Sequence, residues 1–308
     1  MVYTYDSFSS EYGAGPEIKK GFEFFCQCTL QFVSFGDANF IFNRLLLEGN
    51  KTKADIALGL DNTLYKKAEQ AAIFQNHGLD WPKGYAPIVQ GEKSTLLLPF
   101  DYGWLGLLYH TNHFKKPYSS LEELLQAKSQ SPFLILQDPR SSSPGLGFLV
   151  WLQQIYPQTA PKILKEIAQK TQLVSPGWSE SYQVFLAQEA SIVLSYVTSP
   201  LYHELMENRT DIQALDLKEG AFLQVEYAGI SKFSQNLQLA KNFLAWFLSP
   251  NTQKILPKTQ WMFPVAPVVL EKPFQKVQKK FSNQTQLIFP SPEERKKWIE
   301  EWLSNQEK

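Results

Sequence analysis

The chain has 308 residues, 44% of them hydrophobic, and 30 basic side chains balance 30 acidic ones. Zero net charge argues against a nucleic-acid partner, whose phosphates call for surplus Lys and Arg, and the hydrophobic content argues against a disordered chain. The length suits one large or two ordinary domains, and no apolar run approaches the roughly 18 residues of a membrane span.

The first third alternates strand and helix. Val2–Tyr5, β-branched and aromatic, is expected as a strand. Pro16 opens a helix at its first turn, where the missing N–H costs nothing, and Ile18, Phe22 and Phe25 give that helix an apolar stripe. A second strand is predicted over 30–35. Asp37 is placed to cap a helix with Phe40, Ile41, Leu45 and Leu46 on its apolar face and Gly49 at its end. A buried strand over 54–58 precedes Asp61-Asn62 and a helix through about residue 74. This β-α-β-α-β-α order predicts a mostly parallel sheet covered by helices.

The apolar segment 95–110, broken by Pro99 and Asp101, is too long for one strand in one sheet and is read as a crossing into a second lobe. There the pattern restarts. A helix begins at Ser119 or Ser120, each with a Glu three residues on to complete a capping box. A strand over 133–136, helices over 144–156 and 161–170, a short strand over 173–175, a helix over 179–187 and a strand over 191–196 follow. Segment 222–230 reads as the return crossing, and amphipathic helices over 236–248 and 293–304 are expected to pack on the first lobe. The domain reading is therefore lobe one over 1–100 and 226–308, lobe two over 101–225, and two crossings forming a hinge beneath a cleft.

In open α/β sheets, ligands sit beyond the carboxyl ends of the strands. After the first two predicted strands come Tyr5-Asp6-Ser7-Phe8 and Gly36-Asp37-Ala38. After the strand ending at Leu136 come Gln137-Asp138-Pro139-Arg140-Ser141-Ser142-Ser143-Pro144-Gly145. Three serines before a Pro-initiated helix put hydroxyls and free N–H groups at a helix N-terminus, suited to an anion, although ordinary capping accounts for one of them. After the strand over 191–195 come Tyr196-Val197-Thr198-Ser199-Pro200-Leu201-Tyr202-His203. Trp178 stands between Gly177 and Ser179, and Trp261 stands in a loop closed by Pro264. Core packing explains most of the aromatic residues. A Trp flanked by turn-formers rarely serves only as core filler. Aromatic faces with hydroxyls suit a flat, positively charged ring with an anionic tail.

Cys26 and Cys28 are the only cysteines. They make neither a disulfide framework nor a four-ligand zinc site. Free thiols are favoured, because a bridge across one residue would be strained, and a local redox bridge stays open. His110 and His113 have ligand-like spacing but are read as surface histidines after a crossing strand. No signal peptide is visible, so a cytoplasmic protein and removal of a leader are both open.

The chain resembles the periplasmic thiamine-binding proteins of bacterial thiamine ABC importers over nearly its full length. The resemblance rests on Tyr3-Thr4-Tyr5-Asp6-Ser7-Phe8, on Ala54-Asp55 with Leu58-Gly59-Leu60-Asp61-Asn62, and on Pro99-Phe100-Asp101-Tyr102-Gly103. It continues through Gln137-Asp138-Pro139-Arg140, Ser143-Pro144-Gly145-Leu146-Gly147 and Gly177-Trp178-Ser179-Glu180. Leu194-Ser195-Tyr196, Thr198-Ser199-Pro200, Gln224-Val225-Glu226, Trp261-Met262 and Pro264-Val265 complete it. It implies an α/β, two-lobe periplasmic-binding-protein fold, each lobe a mostly parallel sheet flanked by helices, with a ligand cleft between the lobes. It further implies capture, without chemistry, of thiamine, thiamine monophosphate or thiamine diphosphate, and no cofactor. Residence in the periplasm after loss of a signal peptide is implied too, with a membrane permease and its ATPase as partners. The site residues it implies are Asp37 and Ala38 from lobe one, Ser142 and Ser143 at the phosphate or hydroxyethyl end, and Trp178, Tyr196, Val197, Thr198 and Ser199 from lobe two. Tyr202, Trp261 and Tyr5 are implied as ring partners.

Three rival readings differ in class. A thiaminase-like enzyme needs a nucleophilic Cys in the cleft, whereas Cys26 and Cys28 fall at the entry to a strand, and no GxSxG elbow is present. An iron binder could use Tyr196 and Tyr202 but has no place for Trp178 and Trp261. A binder of another organic cation, a polyamine or quaternary amine, would use the same aromatic faces without needing the serines.

Overall fold

The computed structural model describes residues 1–81, 84–91, 93–113, 117–128, 133–282 and 286–306. The chain divides into two units: Met1–Tyr102, Gln224–Phe274 and Leu287–Phe289 form the first, and Gly103–Leu223, Gln275–Gln286 and Pro290–Lys308 the second.

In the first unit, strand Val2–Tyr5 lies between Phe32–Phe35 and Ile56–Asp61, parallel to both. The returning strand Phe222–Ser231 adds antiparallel to Ile56–Asp61 through Glu226–Ile230. Helix Gly15–Cys26 buries Ile18 and Phe22 but leaves Phe25 exposed, and helix Ala38–Glu48 buries Ile41, Phe42 and Leu45 but leaves Phe40 and Leu46 exposed, so both stripes are narrower than expected. Helix Leu237–Phe247 buries Phe243, Leu244 and Phe247. Phe8 is fully buried and meets Phe32, Phe100 and Phe247 edge-on, a geometry worth about 0.5–1.5 kcal/mol per pair beyond burial. Asp37 caps its helix, accepting from Asn39 N at 3.3 Å.

In the second unit, strand Leu134–Gln137 runs parallel to Thr171–Ser175 on one side and to Ile192–Tyr196 on the other. The long strand Leu97–His110 pairs antiparallel with Ile192–Tyr196 through Leu105–Tyr109, and with Ile212–Ala214 through its last three residues. Among the covering helices are Ser143–Ile155, Ala160–Lys170 and Trp178–Leu186. Ser142 caps the first of them, and Ser120 caps the short helix Leu121–Gln126.

Several expectations are corrected. Segment 95–110 is not a broken connection: Leu97–His110 is one strand of 14 residues, buried throughout, passing from the first unit to the second after Tyr102. A strand buried on both faces loses its alternation and reads as a continuous apolar run. The helix expected to reach residue 74 spans only Tyr65–Gln70, and Phe74–Gln75 instead pairs antiparallel with the end of the returning strand. The last helix, Pro292–Ser304, belongs to the second unit and packs on Ser143–Ile155 and Ala160–Lys170, with Gln153 Nε2 donating to Glu301 Oε2 at 2.8 Å. Ser143–Ile155 is buried on nearly every face, so it needs a covering element.

Cys26 and Cys28 are joined as a disulfide, not free, with Cα atoms 5.2 Å apart. Gln27 takes the left-handed conformation at φ 53°, curling the chain at the helix end so that its neighbours meet. His110 is buried rather than at the surface. It stacks on Phe185 at 4.1 Å and its Nε2 lies 2.8 Å from that residue's carbonyl oxygen, and burial pushes its pKa down. His113 is exposed, beside Ser191 Oγ. Among the described residues no cluster of three or more His, Cys, Asp or Glu is arranged to hold a metal, and no helix is long and apolar enough to cross a membrane.

Candidate ligand-binding site

The second unit presents an aromatic face held from behind. Gly177 is extended and Trp178 begins the helix that follows it. The half-buried indole stacks on Tyr182 with centroids 4.9 Å apart and planes 16° apart, and stands 6.4 Å from the Tyr196 ring at the end of strand Ile192–Tyr196. Its Nε1–H donates to Ser195 Oγ at 2.9 Å, and Ser195 Oγ lies 3.0 Å from Ser199 Oγ. The 16° stack shares ring faces, and the indole N–H bond fixes rotation about the stack.

Behind Trp178, Tyr182 packs in a cluster with Leu108, Ile135, Phe185 and Val193. Its hydroxyl lies 2.9 Å from His203 Nε2, and His203 Nδ1 lies 2.7 Å from Glu207 Oε2. His203 is 1% exposed. Burial raises the Tyr182 pKa, keeping its hydroxyl protonated, while the His203 contact holds Glu207 below the usual carboxylate range. Glu207, His203, Tyr182 and Trp178 thus form a continuous chain ending at the indole.

The other residues singled out in this unit fall around two helix starts. Val197 is buried, its N–H bonded to Trp104 O at 2.9 Å, and its side chain lies against Gly106. Thr198 is fully buried, and no partner for its Oγ1 is found among the described residues. Tyr202 meets His203 edge-on at 5.2 Å. Ser142 is 0% exposed and accepts from Gly145 N, Ser141 Oγ donates to Pro176 O, and Ser143 is the first residue of the helix. A Cβ at Gly145 would lie 2.4 Å from Gln137 O, so only glycine lets this helix start against the strand end.

In the first unit Tyr5 sits at the end of its strand, its ring against Gly59. A Cβ there would fall 2.3 Å from the ring, and the glycine φ is +101°. Tyr5 Oη donates to Glu226 Oε2 at 2.6 Å and accepts from Gln260 Nε2 at 2.9 Å. Asp37 and Ala38 are buried at their helix start. Trp261 is half-buried, takes the left-handed conformation at φ 59°, and stacks on Phe274 at 6.1 Å and 21°. Tyr5 therefore belongs to a polar cluster with Gln260 and Glu226, and Trp261 to a separate aromatic stack.

Sequence reasoning missed Tyr182, His203, Glu207, Gln260 and the buried acids Asp101 and Glu226. A signal existed for the last two: each is a lone acid inside a long apolar run, a costly placement that asks for a reason. Burial raises the pKa of Glu226 to about 8, with Asp61 and Asp37 adding to the shift against hydrogen bonds that lower it. Asp101 is raised well above its ordinary value, first by burial and then by Glu226.

Residues 29–283 match the family of bacterial extracellular solute-binding proteins. The chain is 42% identical over 304 residues to the thiamine-binding periplasmic protein of Escherichia coli, covering 98% of this chain and 91% of that protein. It is 40% identical over 306 residues to the corresponding protein of Haemophilus influenzae, covering 98% and 90%. A solved structure of a periplasmic thiamin binding protein superposes with a TM-score of 0.92 at 39% identity, covering all of this chain and 96% of that one.

Proposed function

We propose that this chain, which belongs to the family of bacterial extracellular solute-binding proteins, captures thiamine in the periplasm and hands it to the permease and ATPase of an ABC importer. The observation that carries the reading is the 42% identity running through 98% of the chain to a protein named for thiamine binding. The geometry of the second unit supports it: an indole face stacked and hydrogen-bonded in place suits an aromatic cation. The residues proposed to contact the ligand are Tyr5, Asp37, Ala38 and Trp261 in the first unit. In the second they are Ser142, Ser143, Trp178, Tyr196, Val197, Thr198, Ser199 and Tyr202.

Thiamine monophosphate and diphosphate are proposed as further ligands, their phosphates reaching the helix start at Ser142 and Ser143. We read the protein as a carrier and not an enzyme. Its relatives are named as binding proteins, and the cysteines are joined to each other at the end of helix Gly15–Cys26. Calorimetric titration with thiamine, its two phosphates and choline tests the proposal. Saturable binding of thiamine, recovered uncleaved, is expected. Tight choline binding with none of thiamine would overturn it in favour of another organic cation.

A further inference from the structure

Two carboxyl groups of the first unit are buried against each other. Asp101 is inaccessible to solvent, and among the described residues no N–H or O–H donor reaches either of its oxygens. Asp101 and Glu226 stand on neighbouring strands, Leu97–His110 and Phe222–Ser231, and Glu226 is the group that acts on Asp101; its carboxyl can donate only if protonated. Two buried carboxylates in contact repel strongly, so the pair holds together by sharing one proton. Tyr5 Oη donates to Glu226 at 2.6 Å and Gln224 Nε2 at 3.3 Å. Among the described residues, the charged groups acting on Glu226 include Asp61, ending strand Ile56–Asp61, and Asp37, capping helix Ala38–Glu48, and both are acidic. The charge facing the pair is negative, and the shared proton is its counter-charge.

We propose that the Asp101–Glu226 pair selects for positive charge, and that capture of an organic cation beside Tyr5 releases the shared proton to solvent. This deepens the thiamine reading and rests on it. A fixed positive ring near Tyr5 does the electrostatic work the proton did, so the second carboxyl ionises as the cation arrives. A neutral ligand leaves the proton in place and gains nothing from the pair. Tyr5 and Gln224, already donating to Glu226, stabilise the ionised form without rearrangement. Because a proton leaves on binding, affinity rises with pH, by up to about tenfold per pH unit while a whole proton is released. It levels off once the pair is ionised in the free protein.

The test is calorimetry with thiamine at pH 7 in phosphate and in Tris, whose ionisation heats differ, followed by titrations from pH 6 to pH 8.5. The wild type is expected to give a buffer-dependent heat corresponding to proton release, and an affinity rising roughly threefold or more across the range. Glu226→Gln and Asp101→Asn are each expected to release no proton and to bind with a flat pH profile. If neither variant folds, the wild-type measurement in two buffers still decides. Saturable binding with identical heats in both buffers overturns the inference and leaves the thiamine reading intact. No binding at all overturns both.

Discussion

Replacing Trp178 with Ala removes the ring that ends the chain Glu207–His203–Tyr182–Trp178. The indole is half-buried, with one face on Tyr182 at 4.9 Å. A ring held this way offers a cation about 1–2 kcal/mol, because it has little freedom left to lose and is partly desolvated. That corresponds to roughly a five- to thirtyfold loss of thiamine affinity. The fold should survive: Ser195 keeps Ser199 as a hydroxyl partner, and Tyr182 keeps His203. Trp178→Phe separates two contributions, keeping an aromatic face while losing the Nε1–H bond to Ser195, and should fall between wild type and Ala. Isothermal titration reports affinity, and circular dichroism with thermal melting reports the fold. An Ala variant that melts like wild type and binds thiamine equally well would refute the reasoning, because the stack would then serve packing alone.

Further predictions follow from the same contacts. His203→Ala removes one partner of the buried Tyr182 hydroxyl and leaves Ser199 as the other, which should cost about 1 kcal/mol of stability. It should also weaken thiamine binding severalfold and shift the tryptophan emission, a signature that loss of stability alone would not produce. Ser142→Ala combined with Ser143→Ala should remove a helix cap worth about 1 kcal/mol and penalise phosphorylated thiamine more than free thiamine, and equal losses in a titration would count against an anion role. The pH dependence of stability has a definite sign. Glu226, normally near 4.5, is raised to about 8 by burial, so the folded state holds a proton that the unfolded state loses. Its contribution is complete below about pH 4.5 and declines by up to about 1.4 kcal/mol per pH unit as pH rises through 8. The ligand-free melting temperature should therefore fall between pH 6 and 8.5, and Glu226→Gln should flatten the curve. Glu207, lowered by its contact with His203, acts at more acidic pH. A wild-type melting temperature that rises over this range would show that the pair does not carry the proton.

Much of the local structure was readable before any coordinates. Asp37 and Ser120 sit where short acceptor side chains close a helix start, and Pro16 and Pro144 stand in the first turns of theirs. Gly177-Trp178-Ser179 announced a Trp outside any apolar run. These are properties of a residue and its neighbours in sequence. What failed did so where the cause lay far along the chain. The 14-residue strand looked too long because burial on both faces, supplied by distant helices, removes the period that marks a strand. The last helix carries an apolar stripe that says it packs, not on what. The apolar helix Ser143–Ile155 decided that.

The sequence by itself determined the alternation of elements, the helix starts and the kind of residue that would meet a ligand, because each depends on backbone sterics, capping and side-chain chemistry over a few residues. Only the tertiary structure decided that Tyr182, His203 and Glu207 stand in line behind Trp178, and that Asp101 and Glu226, 125 positions apart by their numbering, lie on neighbouring strands with no donor to Asp101 among the described residues. Contacts of that kind arise from strands paired across the sheet, and the energy of a buried charge depends on everything packed around it rather than on its neighbours in the chain.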